Sequence, residues 1–199
     1  HHARLYASLP DSTLVGVIDQ DLGRASVIAQ KHGAQVFSDL PDFLKQVEVV
    51  SIAVPTSSHY SVTKACLEAG KHVLVEKPIA VLPVEARELV ELAKRNRCTL
   101  QVGHSERFNP ILQLMRPYIR KPMLFECHRL GTYSGRGTDV DVVLDVMIHD
   151  LDLVLSFDPG PVEDVRAAGV TILSSASDVS NARVQFRSGC VVNLTASRI

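Results

Sequence analysis

Between Leu14 and Gly103 short apolar runs alternate with segments of helical length, and this alternation restricts the fold more than any other feature of the chain. Leu14 to Ile18 reads as a buried strand ending at Asp19, followed by a helix from Leu22 to His32 that Asp21 caps and Gly33 closes. Ala34 to Phe37 is a short strand, Pro41 to Lys45 a brief helical piece, and Glu48 to Val54 a β-branched run that Pro55 stops. A helix from His59 to Ala69, capped by Ser57 or Ser58 and closed by Gly70, precedes the strand His72 to Val75. Pro83 opens a helix to Asn96 with Ala86, Leu89, Val90 and Ala93 on one face, and Thr99 to Gly103 is the next strand. Strands and helices alternating in this way, with short loops, describe an α/β unit: a parallel sheet covered on both faces. His1 to Leu9 reads as the last turns of a helix that Pro10 ends, and its uncapped start suggests that something is cut off ahead of it; the first strand and its phosphate loop either lie ahead of His1 or are lacking.

After Gly103 the pattern changes. Ser105 to Tyr118 reads as a helix, Met123 to Leu130 as a strand, and Gly131, Gly135 and Gly137 as a glycine-rich loop. Val140 to Phe157 is a long helix, and Val162 to Ile199 gives three antiparallel strands, the last two joined at Ser188-Gly189. The expected division is therefore 1–104 for the parallel α/β domain and 105–199 for an α+β domain with a mostly antiparallel open sheet.

The charge balance excludes one class of function. A formal net charge of -1 without a basic run does not suit a chain that grips nucleic-acid phosphates. Cys66, Cys98, Cys127 and Cys190 are far apart and form no CxxC pair, so reduced thiols in a cytoplasmic protein are expected, with no resident metal. No apolar run approaches the roughly 20 residues that cross a bilayer, so neither a membrane span nor a membrane partner is expected.

Chemistry concentrates in two places. The stretch GKHVLVEKPIA, Gly70 to Ala80, is an apolar strand that delivers Glu76, Lys77 and Pro78 at its carboxyl end, where open α/β sheets bind ligands. The proline fixes φ and withholds a donor, which fixes where the Lys77 ammonium emerges. Read alone, the tripeptide also describes an ordinary strand exit with a solvated ion pair. The second place is the helix VDVVLDVMIHDLDLVLSF, in which Asp141, Asp145, His149, Asp152 and Ser156 recur at steps of four, four, three and four and so form one stripe. Most of its remaining circumference is apolar, which predicts a buried helix with its stripe on a cavity; an acidic, partly exposed face is the alternative. Asp145 and His149, four apart, are expected to hydrogen-bond, setting the imidazole tautomer and raising its basicity.

Asp19 is a third candidate. An acid ending the second strand of a dinucleotide fold hydrogen-bonds ribose hydroxyls and disfavours a 2′-phosphate, which selects NAD over NADP. Alone it also reads as a helix-leading aspartate. No G-x-G-x-x-G occurs in the chain, and the spacing puts the last glycine of such a fingerprint just before His1.

Taken in order, AGKHVLVEKP, the segment GHSERFNP at Gly103 to Pro110 and the Asp145-x-x-x-His149 helix resemble the Gfo/Idh/MocA family of nicotinamide-dependent sugar and polyol oxidoreductases. The resemblance spans essentially the whole chain. The wording of GHSERFNP and DVDVVLDVMIHDLDLVL is similar to the branch that includes UDP-N-acetylglucosamine 3-dehydrogenases. It implies a Rossmann-type parallel sheet whose N-terminal strand and glycine loop are missing here, as are the last strands after Ile199. It implies NAD as cofactor, with NADP possible, a sugar, nucleotide-sugar or cyclitol substrate, and a homodimer or homotetramer. Residue by residue, it implies that Lys77 contacts the reacting hydroxyl near the nicotinamide with Asp145 and His149 opposite. Pro55, Thr56 and His59 would line the cofactor groove and Glu76 would approach the nicotinamide ribose. Arg107 and Asn109 either face the substrate or join the domains, and Asp152 joins the substrate-binding set.

The chemistry of the residues agrees. Oxidising a secondary alcohol requires removal of its hydroxyl proton, for which His149 has a suitable intrinsic pKa, while Lys77 stabilises the alkoxide and Asp145 orients the imidazole. Two other classes compete. A sugar or nucleotide sensor of the same fold would dispense with the phosphate loop, and a metal hydrolase would use Asp145, His149 and Asp152 as ligands.

Overall fold

The computed structural model describes residues 1–133, 135 and 139–199; Gly137 of the glycine-rich loop lies outside the described residues. Contacts divide the chain into two compact units, one of 1–53, 61–75 and 87–101, the other of 54–60, 76–86 and 102–199.

The first unit is built on parallel strands. After helix α1 (His2–Ser8) come β1 (Gly16–Ile18), α2 (Leu22–His32), β2 (Gln35–Phe37), α3 (Leu40–Gln46) and β3 (Val49–Ile52). A 3-10 turn over Thr56–Ser58 leads into α4 (His59–Glu68), followed by β4 (His72–Val75), α5 (Pro83–Asn96) and β5 (Leu100–Val102). The boundary residues behave as their chemistry dictates. The Asp21 carboxylate accepts the Arg24 N–H at 3.0 Å, and Gly33 ends α2 at φ 67°, where a side chain would be strained. Gly16 is required for another reason: a Cβ there would lie 2.4 Å from the Phe37 ring of the paired strand. That ring meets Phe43 of α3 edge-on, with centroids 5.2 Å apart.

The parallel strands form two hydrogen-bonded pieces, β1-β2 and β3-β4-β5. A doubly wound sheet places its opening strand between its second and fourth strands, and the two pieces are ordered like the strands flanking that position. On α5, Val90 is exposed and Leu92 is buried with Leu89 and Ala93. The apolar stripe therefore keeps Leu89 and Ala93 of the expected face, with Leu92 in place of Val90.

The second unit contains α6 (Pro110–Met115), β6 (Leu124–Leu130), α7 (Ile148–Leu155), β7 (Val162–Val170), β8 (Val179–Phe186) and β9 (Val191–Ser197). Its sheet has the order β6-β9-β8-β7, with β6 parallel to β9 and the other pairings antiparallel. Alternation along β8 and β9 buries Ala182, Val184, Phe186, Val192, Leu194 and Ala196 in one core with Val142, Met147 and Val154. Residues 187–190 make the β8–β9 turn, with Gly189 at φ 86°. The expected helix from Ser105 to Tyr118 is instead a 3-10 turn (Ser105–Phe108), α6 and a second 3-10 turn (Arg116–Tyr118). Asn109 breaks it by adopting ψ 124° and capping α6 through the Ile111 N–H.

The expected helix from Val140 to Phe157 is also divided. Val143–Met147 forms a π-helical turn that continues into α7. A π turn carries an extra residue per turn, so Asp145 and His149 do not stack as an α-helical i, i+4 pair would.

Candidate functional site

Strand β4 buries Val73 and Val75 and then releases Glu76 and Lys77, with the Lys77–Pro78 peptide cis. Glu76 lies against the exit of β5. A Cβ on Gly103 would stand 2.8 Å from a Glu76 carboxylate oxygen and 3.3 Å from its Cα, so any other residue there would displace the Glu76 carboxylate. The Lys77 ammonium donates to the Asp145 backbone carbonyl at 2.6 Å and to Asp145 Oδ1 at 3.0 Å. Both side chains are about one-fifth exposed, 21% and 22%, shielded yet within reach of a ligand. The π-helical turn presents this carboxylate, and Asp141 holds the start of the turn by accepting the Leu144 N–H at 2.9 Å.

The expected hydrogen bond between Asp145 and His149 does not form. Asp145 turns to Lys77, and His149 Nδ1 is buried without a hydrogen-bond partner among the described residues. Burial lowers the His149 pKa, helped by the positive charges of Lys77 and Arg129, so the imidazole is neutral near pH 7. A second imidazole, which sequence reading missed, has the same character. His104 Nδ1 is buried without a partner, and burial lowers its pKa against the opposing pull of Asp152, 3.7 Å from Nε2. Its position one residue beyond Gly103, at the carboxyl end of β5, was the available signal.

The carboxylates of the stripe go to different partners. Asp152, 8% exposed, accepts both arms of the Arg107 guanidinium at 2.6 and 2.7 Å, and this bond raises the Arg107 pKa. Arg107 and Asp152 therefore hold each other and Asn109 caps α6. Ser156 accepts from Arg116 at 2.8 Å. Asp150, outside the stripe, binds Arg129 of β6 at 2.7 Å. No group of three His, Cys, Asp or Glu side chains among the described residues is placed to hold a metal ion.

The proposed cofactor residues fall in two groups. In the first unit, Asp19 ends β1; its Oδ1 accepts the Asp21 N–H at 2.9 Å and Arg24 stands 3.7 Å from Oδ2. The carboxylate is about one-third exposed and keeps unused acceptor capacity for a ribose diol. In the second unit, Pro55 and Thr56 open the turn after β3. His59 is corrected: it is 2% exposed, with Nδ1 2.6 Å from the Pro78 carbonyl and Nε2 3.0 Å from the Val54 carbonyl. Its polar atoms brace two strand exits and are not available to line a groove.

A cavity of about 180 Å³ adjoins Asp145, with Arg129, Thr132, Tyr133, Ser197 and Arg198 also in its wall. Leu130, Gly131 and Val146 complete the wall, so it mixes hydroxyls, a carboxylate and guanidinium groups with apolar surface.

The Gfo/Idh/MocA family model, described as an oxidoreductase family with an NAD-binding Rossmann fold, matches residues 1–104. UDP-N-acetylglucosamine 3-dehydrogenase from Acidithiobacillus ferrooxidans is 37% identical over 199 residues, all of this chain and 63% of that protein. Its solved structure superimposes with a TM-score of 0.92, covering 100% of this chain and 65% of the other. Inositol 2-dehydrogenase from Rubrobacter xylanophilus is 33% identical over 179 residues, 85% of this chain and 52% of that protein. The chain thus spans a little under two-thirds of the first relative. No helix among the described residues is long and apolar enough to cross a membrane. With its parallel strands, the Lys77 strand exit and a family match across 1–104, the chain belongs to the Gfo/Idh/MocA oxidoreductase family.

Proposed function

We propose that the chain carries the reacting site of an NAD-dependent dehydrogenase that moves a hydride between the cofactor and a secondary alcohol of a sugar, nucleotide sugar or cyclitol. Residues 1–104 form the dinucleotide-binding domain in this reading and 105–199 the substrate domain. The observation that carries it is the Lys77 ammonium held 3.0 Å from Asp145, which lines a small cavity, together with a neutral imidazole.

Asp19 fits the cofactor because its partly exposed carboxylate can accept from ribose hydroxyls. The bound nicotinamide supplies the acceptor for the electron pair of the carbinol C–H bond. The chain's own residues handle the remaining proton. As the C–H bond breaks, the substrate O–H proton passes to the His149 imidazole, which burial and neighbouring cations keep unprotonated. Lys77 donates to the oxygen as alkoxide character develops, and Asp145 fixes the ammonium in place. Glu76, beside Gly103 at the same strand exits, is assigned to the nicotinamide ribose. Four basic side chains of the second unit each hold a carboxylate: Lys77 with Asp145, Arg107 with Asp152, Arg129 with Asp150, Arg198 with Asp178. That balance supports an uncharged reacting ring, because an anionic one would have to displace a carboxylate from its partner.

The four free cysteines support a reducing, cytoplasmic setting, and burial raises the Cys66 and Cys127 thiols to about 11. Exposed Leu124 and Leu130 on β6 support pairing of copies through the outer face of the second sheet, as a homodimer or homotetramer; light scattering giving a monomer would dismiss this. The test of the activity is to incubate the full-length protein with NAD and a panel of sugar nucleotides and polyols, following nicotinamide absorbance. Reduction with an uncharged ring is expected. Absence of turnover across the panel, in a protein that binds its members, would favour the sensor reading instead.

A further inference from the structure

Resting on that reading, we propose that Arg198, clamped by Asp178, is a positioning residue: it holds the far side of the Asp145 carboxylate so that the near oxygen stays on Lys77. Arg198 follows the last residue of β9 and is almost wholly buried, 6% exposed. Its guanidinium is fixed on several sides, with Nε donating to Asp178 Oδ1, Nη1 to the Val140 carbonyl and Nη2 to Ser174 Oγ, each at 3.0 Å. Asp178 is itself fully buried. It accepts the backbone N–H groups of Ile172, Leu173 and Ser174 and the Ser174 hydroxyl, which hold it well below the ordinary carboxylate range. So heavily saturated an anion is a rigid anchor.

What this anchor fixes is a cation next to the candidate site. Arg198 Nη1 stands 3.9 Å from Asp145 Oδ2, while Lys77 Nζ holds Oδ1. The Asp145 carboxylate therefore lies between one cation that is immobile and one at the end of a flexible stem. Nη1 also donates to the carbonyl of Val140, just ahead of the π-helical turn that presents Asp145. The same guanidinium thus sets both the backbone leading to the turn and the charge beside its carboxylate. Closure of the 171–178 segment needs only the bonds between Asp178 and that segment, and does not require a cation within ion-pair range of Asp145.

The test is a double-mutant cycle in the full-length protein, with Arg198→Met and Arg198→Lys placed in wild-type and Asp145→Asn backgrounds, reading kcat, KM and melting temperature. In the wild-type background Arg198→Met is expected to lower kcat by about 10-fold to 100-fold, the scale of a misplaced catalytic group, with KM changed far less. Arg198→Lys, which keeps the charge, is expected to recover part of the loss. In the Asp145→Asn background the further fall in kcat should be under about 2-fold, while the melting temperature drops equally in both backgrounds. An equal fall in kcat in both backgrounds, or no fall in either, would overturn the proposal. If Arg198→Met does not fold, Arg198→Lys carries the cycle. The NMR resonance of the Lys77 ammonium gives a readout without substrate: a changed shift or faster proton exchange in the Arg198 variant supports the role even if no turnover is found. An unmoved resonance counts against it.

Discussion

Asp145 and Asp152 lie on the same segment, nearly two turns apart, and the molecule treats them in opposite ways. Asp152 sits in α7, nearly buried, with both oxygens taken by the fork of Arg107. Asp145 sits in the π-helical turn, one-fifth exposed, with one oxygen on a lysine and an open cavity beside it. The difference follows from the partners. A planar guanidinium saturates a carboxylate and locks it, whereas an ammonium makes a point contact that a ligand oxygen can share. One acid is tied into the architecture, and the other keeps the accessibility that the proposed reaction requires.

Removing the partners should separate the two roles. Lys77→Ala and His149→Ala in the full-length protein are expected to lower turnover by about 100-fold to 10,000-fold with the fold intact, as judged by steady-state kinetics and circular dichroism. A near-normal rate in either variant would remove that residue from the mechanism. Arg107→Met should do the reverse, costing about 2 kcal/mol of stability by stripping the charged hydrogen bonds from Asp152 while affecting turnover less. Urea titration measures this, and a midpoint unchanged from wild type would deny Asp152 its structural role.

The imidazoles allow a finer test through pH. Burial lowers the pKa of His149 and of His104 in the folded state, whereas the unfolded chain takes up these protons near the ordinary value of about 6.5. Below that value the unfolded state binds more protons, so stability is full above pH 6.5 and falls as acid is added toward the lowered folded-state pKa values. His149→Gln should flatten part of that fall in melting temperature between about pH 7 and 5; an unchanged slope would show that the ring is not buried as described. The smallest expected effect is at Asp19. Asp19→Ser should relax the preference for NAD over NADP by several-fold, and an unaltered ratio would argue against ribose binding there.

Much of the fold was legible because it depends on local chemistry. Asp21, Gly33, Pro83 and the Ser188-Gly189 turn act within a few residues of themselves, and the strand runs are short, apolar and well bounded. The π-helical turn was not legible, because the side chains from Val143 to Met147 suit an α-helix equally well and the backbone choice depends on what the segment packs against. The candidate site divides the same way. Lys77 and Asp145 were visible as types in telling places, and the structure brings them together. The partners of Arg107 and Arg198 were not visible, since each is fixed by residues distant in sequence: Arg198 and Val140 are 58 positions apart. The buried role of His59 was missed for the same reason, as its ring bonds a carbonyl 19 residues away.

Finally, strand β6 enters the second sheet first but finds its neighbour in β9, the last strand, with Leu124 opposite Val191. Such pairing closes a long loop before any reward, so β6 is expected to stay unprotected while β7, β8 and β9 zip together by short hairpins. During synthesis β6 would then remain unpaired until β9 emerges from the ribosome, and with it Arg198. Pulse-labelled hydrogen exchange showing β6 protected before β9 would refute that order of assembly.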